Sequence, residues 1–267
     1  MAGSHGEIVE LLGRRVRLVD LSRTVGPTPS EPNPPRLRYT SHREGAALWQ
    51  TLFDIPPDAL PSGLGFAGEM AELSTHAGTH LDAPWHYAPV SEGKPAAKID
   101  EVPLDRCIGP AVVIDVSEFP TGYLVSAADV EQGLEKIGHS LSPGEIVLFR
   151  TGADAVWGTD EYFSYGCGLG REAVLYLVDQ GVRVMGTDAW SLARPYPKIG
   201  AEWRDEENSS LLWPAHYAGI EREYWHLEKL ANLAELPATG ATLLSLPIKV
   251  EAASGAWVRA AGLVPEG

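Results

Sequence analysis

The chain has 267 residues, 44% hydrophobic content and a formal net charge of −15. That length builds a core without disulfide staples. A surface this acidic repels phosphate backbones and anionic lipid, which excludes nucleic acids and membranes as expected partners.

The elements follow in chain order. Residues 7–13 (EIVELLG) predict a short helix closed by Gly13, and RVRLVDLS predicts an alternating strand. Residues 24–38 (TVGPTPSEPNPPRLR) are proline-rich, so they form an extended segment, either a linker or an arm that lines a site or meets a partner subunit. Residues 66–86 read as extended chain with a glycine turn. PAVVIDVS (110–117) and EIVLFRTG (145–152) are β-branched, apolar runs of strand length. SAADVEQGLEKIG (126–138) has helical spacing with Ser126 as N-cap. REAVLYLVDQG (171–181) is a helix stopped by Gly181. VRVMGTD (182–188) is a short strand, EYWHLEKLANLAEL (223–236) is helical, and ATLLSLPIKV (241–250) is a final strand. No repeat of 20–50 residues and no low-complexity linker divides the chain, so residues 1–267 read as one α/β domain.

No run of about 18 apolar residues marks a transmembrane helix. The N-terminal stretch MAGSHGEIVELLGRR lacks the apolar stretch of a secretory signal. Cys107 and Cys167 stand far apart in no paired motif, which suits a reducing cytoplasm and gives no CxxC site. The expected location is cytoplasmic. Cys107 reads as a small core residue. Gly166-Cys167-Gly168-Leu169-Gly170 precedes a helix, but no Lys-Ser/Thr follows, so it is no phosphate loop.

The chemistry concentrates in His76-Ala-Gly-Thr-His80-Leu-Asp82-Ala-Pro-Trp-His86. These eleven residues hold three of the chain's eight histidines, where chance supplies about 0.3. Divalent metals want imidazole nitrogen and carboxylate oxygen converging from short spacings. On a strand, His80 and Asp82 point to one face. Gly78 permits a turn that swings His76 back to that face. Pro84 argues against a helix continuing through His86. The alternative is a cluster of buried, hydrogen-bonded histidines, each of which would need its own partner.

The segment resembles the HxGTHxDxPxH pattern of the cyclase family of metal-dependent hydrolases, which includes bacterial kynurenine formamidases, isatin hydrolases and trans-dienelactone hydrolases. Every fixed position is present. The likeness extends to Val19-Asp20-Leu21-Ser22, to Leu148-Phe149-Arg150-Thr151-Gly152, to Gly186-Thr187-Asp188-Ala189-Trp190-Ser191 and to Leu246-Pro247-Ile248-Lys249. The resemblance implies a swivelling β/β/α fold and a homo-oligomer, a dimer or higher. It implies metal ligation by His76, His80 and Asp82, with His86 as general acid/base and Zn2+ or Mn2+ as the ion. It also implies that His216 and Glu228, twelve residues apart, meet Asp82 at a second metal position. If only one ion is held there, His216 is instead a substrate-facing acid/base. A continuous helix would hold the two about 18 Å apart, so the chain must turn between them, and Gly219 is available for that. Two departures bear on the substrate. Ala193 stands where the family has Asp in S-x-D-R-P, and Ser254-Gly255-Ala256-Trp257-Val258-Arg259 replaces D-G-x-P-x-R.

Asp188 and Ser191 either position substrate or cap a turn. Trp85 and Trp190 either wall a pocket or belong to the core. His226 has no matched role and reads as a helix residue. The implied activity is hydrolysis of an amide or lactone of a small cyclic or aryl molecule by metal-activated water. A cyclase or dehydratase using the metal as Lewis acid, and a non-catalytic metal-binding protein, are the alternatives. Retention of His86 speaks against the last.

Overall fold

A computed structural model describes residues 6–266. The first five residues of the N-terminal stretch, and Gly267, lie outside it. In chain order the strands are β1 (Ile8–Leu11), β2 (Arg14–Asp20), β3 (Arg36–Thr40), β4 (Gly68–Glu72), β5 (His80–Asp82), β6 (Val90–Ser91), β7 (Lys94–Pro95) and β8 (Ile108–Asp115). They continue with β9 (Leu124–Val125), β10 (Ile146–Arg150), β11 (Gly168–Leu169), β12 (Val184–Thr187), β13 (Trp225–Glu228), β14 (Ala241–Leu244), β15 (Gly255–Trp257) and β16 (Ala261–Pro265). The helices are α1 (His42–Phe53), α2 (Pro84–Tyr87), α3 (Ala127–Lys136), α4 (Arg171–Asp179), α5 (Tyr196–Glu206) and α6 (Pro214–Glu221).

Ten strands form one mixed sheet in the order β1-β2-β16-β14-β8-β10-β12-β13-β5-β15. Its centre, β8-β10-β12-β13, is parallel. Parallel strands need crossovers, and α3 and α4 supply two of them, between β8 and β10 and between β10 and β12. Two apolar layers cover the sheet. One holds Leu81, Leu148, Trp225, Leu227 and Leu243. The other packs Val130, Leu134, Val174 and Leu177 of the helices against Val112, Ile114, Val147 and Phe149. The result is a mixed α/β domain, as expected.

Several expected elements stand where the sequence puts them. Ser126 caps α3 by accepting from the Asp129 N–H, and Asp129 accepts in return from the Ser126 N–H. The helix α4 ends ahead of Gly181, which has φ +91°.

Three expectations are corrected. Residues 7–13 form no helix. They are β1 and the start of a hairpin whose turn residues, Leu12 and Gly13, both have positive φ (50° and 73°). A two-residue loop of that kind matches strand twist, so Gly13 closes a hairpin and not a helix. The segment 223–236 forms no α-helix either, only a 3-10 turn at Leu233–Glu235. Its first part is β13, buried along its whole length between β12 and β5. A strand covered on both faces shows no alternation, and its apolar spacing imitates a helix. Lys229 and Asn232 then turn the chain with φ of 57° and 56°. Finally, the strand at 241–250 ends at Leu244. Beyond it only Pro247 bridges Val258.

Candidate metal centre

The site grows from the antiparallel pairing of β5 with β13. The register sets Glu228 opposite His80 and His226 opposite Asp82. Residues two apart share a face, so one register brings four polar side chains together inside the sheet. On the other flank, β15 sets Gly255 against Asp82. A Cβ at 255 would stand 2.7 Å from His76 Cε1 and 3.0 Å from Asp82 Oδ1. Only glycine leaves that space.

His76 arrives by a turn through Gly78, which has φ +64° as the sequence anticipates. Three contacts pin the turn. Glu31, from the proline-rich segment, accepts from the Gly78 N–H at 2.8 Å. The Lys229 ammonium donates to the His76 carbonyl at 2.9 Å and to both Glu31 oxygens at 2.8 Å. Thr79 Oγ1 donates to the Lys229 carbonyl. The proline-rich segment is therefore more than a linker, since it fixes the loop that presents His76.

His86 sits on α2, which starts at Pro84. Proline breaks a helix interior but suits its first position. It therefore opens this short helix and does not prevent it.

His76 Nδ1 lies 2.7 Å from Asp82 Oδ1, and His80 Nε2 lies 3.2 Å from the same oxygen. His86 Nε2 lies 3.7 Å from Asp82 Oδ2. Ser254 Oγ meets His76 Nε2 at 2.9 Å and so fixes that ring from behind. His80 Nδ1 is tied to the Gly78 carbonyl at 2.8 Å, which leaves its Nε2 lone pair facing inward. His80 Nε2 is buried with no hydrogen-bond partner among the described residues, and the buried Asp82 oxygens are faced by the ring nitrogens of His76, His80, His86 and His226. A buried acceptor left without a partner is costly, and a divalent cation ligated by His76, His80 and Asp82 satisfies His80 Nε2 and offsets the buried carboxylate at once. The residues fit a metal.

His216 and Glu228 do converge on Asp82. The helix α6 carries His216, and the chain turns before β13 to bring Glu228 back. His216 Nε2 stands 3.6 Å from Glu228 Oε1, and ligand atoms of Asp82, His216, His226 and Glu228 lie within 4.8 Å of one another. Gly219 contributes differently from expectation: it lies inside α6, where a Cβ would stand 2.3 Å from the Tyr87 ring.

Burial shapes the charges. It lowers the pKa of His86 below the usual imidazole value, with Asp82 pulling the other way. It pushes His216 down to about 4 against the hydrogen bond to Glu228. Burial also disfavours charge on His226, yet its bonds to Asp82 and Glu228 carry it up to about 9.

The remaining predicted residues divide. Asp188 accepts from the Thr151 N–H and hydroxyl and from the Gly152 N–H, which makes it a brace between β10 and β12. Ser191 Oγ donates to Glu228 Oε1 at 3.0 Å. Trp190 packs edge-on to Phe163 and Tyr196, under the Lys229 ammonium. Trp85 is partly exposed, with the Lys98 ammonium 5.4 Å from its ring. The tryptophan that does face the histidines is one the sequence did not single out. Trp213 stacks on His216 at 4.0 Å and meets His86 edge-on at 5.3 Å. Two further residues were missed. Ser254 was legible only as a departure from the motif, and His226 was hidden by the helical reading of its strand.

The sequence profile described as "Putative cyclase" matches residues 19–194. The chain belongs to the cyclase family. It is 29% identical to an isatin hydrolase of Roseibium aggregatum over 280 aligned positions, covering 96% of this chain and 95% of the relative. It is 30% identical to a kynurenine formamidase of Salinibacter ruber, covering 91% and 95%. A solved isatin hydrolase, bound to the product analogue thioisatinate, superposes with a TM-score of 0.73 at 27% identity, covering 94% of this chain and 93% of that one. This cyclase-family member is a hydrolase by its relatives, and its buried His/Asp/Glu group fits a divalent metal.

Proposed function

We propose that the protein hydrolyses the C–N bond of a small cyclic or aryl amide, using water activated at His76, His80 and Asp82. The carrying observation is the convergence of the unpartnered His80 Nε2 on the buried Asp82 carboxylate, beside His76 and His86. A bound divalent ion, Zn2+ or Mn2+, would polarise the substrate carbonyl and lower the pKa of water toward about 7. His86, kept neutral by burial, takes the proton from the attacking water and returns it to the leaving nitrogen. His216, equally neutral, faces the substrate as a second hydrogen-bonding imidazole. Trp213, stacked on His216, gives an aryl ring an apolar wall.

The amide preference is supported by the isatin hydrolase and kynurenine formamidase relatives, both aligned over nearly their whole length. Cys107 and Cys167 are buried free thiols, which supports a reducing compartment such as the cytoplasm. No described helix is long and apolar enough to cross a membrane. Leu52, Phe53 and Met70, exposed on α1 and β4, support a homo-oligomer, which sedimentation would test. A panel of isatin, N-formylkynurenine and a dienelactone tests the reaction. Turnover of either amide above the lactone supports the proposal. Turnover of the lactone alone, or of none after metal loading, overturns it.

A further inference from the structure

A second cation at this site would need free lone pairs on Asp82, His216 and Glu228. Glu228 Oε1 already accepts three hydrogen bonds. They come from the Leu192 N–H at 2.8 Å, from Ser191 Oγ at 3.0 Å and from His226 Nε2 at 3.0 Å. A carboxylate offers about two lone-pair directions per oxygen, so this oxygen is fully used. The other, Oε2, lies 3.6 Å from His80 Nε2, on the side of the first ion.

His226 Nε2 also lies 3.1 Å from Asp82 Oδ2. One ring nitrogen therefore stands between the two buried carboxylates. The ring has little freedom to leave. His226 is fully buried in β13, its Nδ1 meets the Tyr87 hydroxyl at 2.9 Å, and the Tyr87 ring stacks on it at 5.2 Å with a 3° tilt. Two carboxylates brought together away from water need a cation or a hydrogen-bond donor between them. The His226 ring nitrogen occupies that point as a shared donor, at 3.1 Å from Asp82 and 3.0 Å from Glu228.

We infer that the His226 imidazole takes the place of a second cation between Asp82 and Glu228, so that the protein holds one divalent ion, at His76, His80 and Asp82. The inference rests on the metal-dependent reading above. It leaves His216 unligated, with its Nε2 3.6 Å from Glu228 Oε1. It also assigns a role to a residue two positions before Glu228, which the shared strand face makes possible.

The test is metal stoichiometry. Metal-free protein is titrated with Mn2+ alone and with Zn2+ alone, then analysed for bound ion and, with Mn2+, by electron paramagnetic resonance. The expected result is one ion per chain at saturation and a mononuclear Mn2+ spectrum. His226→Ala opens the position, so stoichiometry rises to two and the spectrum becomes spin-coupled. His226→Gln retains an N–H donor and stays at one. Two ions in the unaltered protein, or a fall from two to one in His226→Ala, make His226 a ligand and overturn the inference while leaving the metal-dependent reading intact. No ion in any of these proteins overturns that reading, and this inference with it. The spectrum of the unaltered protein decides the matter even where His226→Ala does not fold.

Discussion

The Glu31–Lys229 pair ties the proline-rich segment to the metal loop, and breaking it tests whether that segment builds the site. Both side chains are buried, with Lys229 at 2% exposure and Glu31 at 7%. The ammonium has the Glu31 oxygens and the His76 carbonyl as its polar partners. Glu31→Gln removes the countercharge and leaves a buried cation. Breaking a buried pair from one side costs about 3–5 kcal/mol. The amide of Gln still offers an oxygen, so the lower end applies, roughly 3 kcal/mol. For a chain of this length that is a fall of about 6 °C in Tm. Pairing Glu31→Leu with Lys229→Met removes the stranded charge and should recover most of the loss, leaving about 1 kcal/mol for the unpaired Gly78 N–H. The assay is thermal and urea unfolding, with bound metal measured on the same samples. Glu31→Gln should also weaken metal binding, because the loop carrying His76 loses its anchor. A Glu31→Gln protein within about 0.5 kcal/mol of the unaltered one, the scale of an exposed pair, would refute the reasoning.

Three further outcomes are expected. His86→Ala should keep its metal and lose about 10²–10⁴ in turnover; loss of the metal along with activity would make His86 a ligand. The acid limb of kcat should lie below the ordinary imidazole value of about 6.5. Burial lowers the pKa of His86, the neutral ring is the working form, and the rate falls only as pH drops through that lowered value; a limb above it would contradict the assignment. Gly255→Ala should reduce metal affinity more than it reduces stability, since its Cβ meets His76 and Asp82 at 2.7 and 3.0 Å. Overpacking elsewhere in a core costs about 1–3 kcal/mol, and a uniform loss of fold with no specific metal effect would count against the placement.

Much of the site was legible because its residues sit in one short segment. The spacing of His80 and Asp82 gave their common face, and Gly78 gave the turn for His76. What was not legible depends on pairing between distant strands. Nothing local tells a twice-buried strand at 225–228 from an amphipathic helix, so the register that sets His226 against Asp82 was invisible. The role of Glu31 was hidden for the same reason, since its partner lies 198 positions away. Ser126 and Gly181 were read correctly because a cap is a local device. Gly13 shows the limit of that logic, because a glycine with positive φ closes a helix or a hairpin equally well.

The central claim is amide hydrolysis dependent on an ion held by His76, His80 and Asp82. Its most direct test is to strip the protein with a chelator, assay isatin and N-formylkynurenine hydrolysis, and restore Mn2+ or Zn2+ while counting bound ions, with His80→Ala alongside. The account predicts that activity disappears with the metal, returns in proportion to the ion rebound, and returns in no measure to His80→Ala. Undiminished hydrolysis by metal-free protein, or full recovery in His80→Ala, would contradict it.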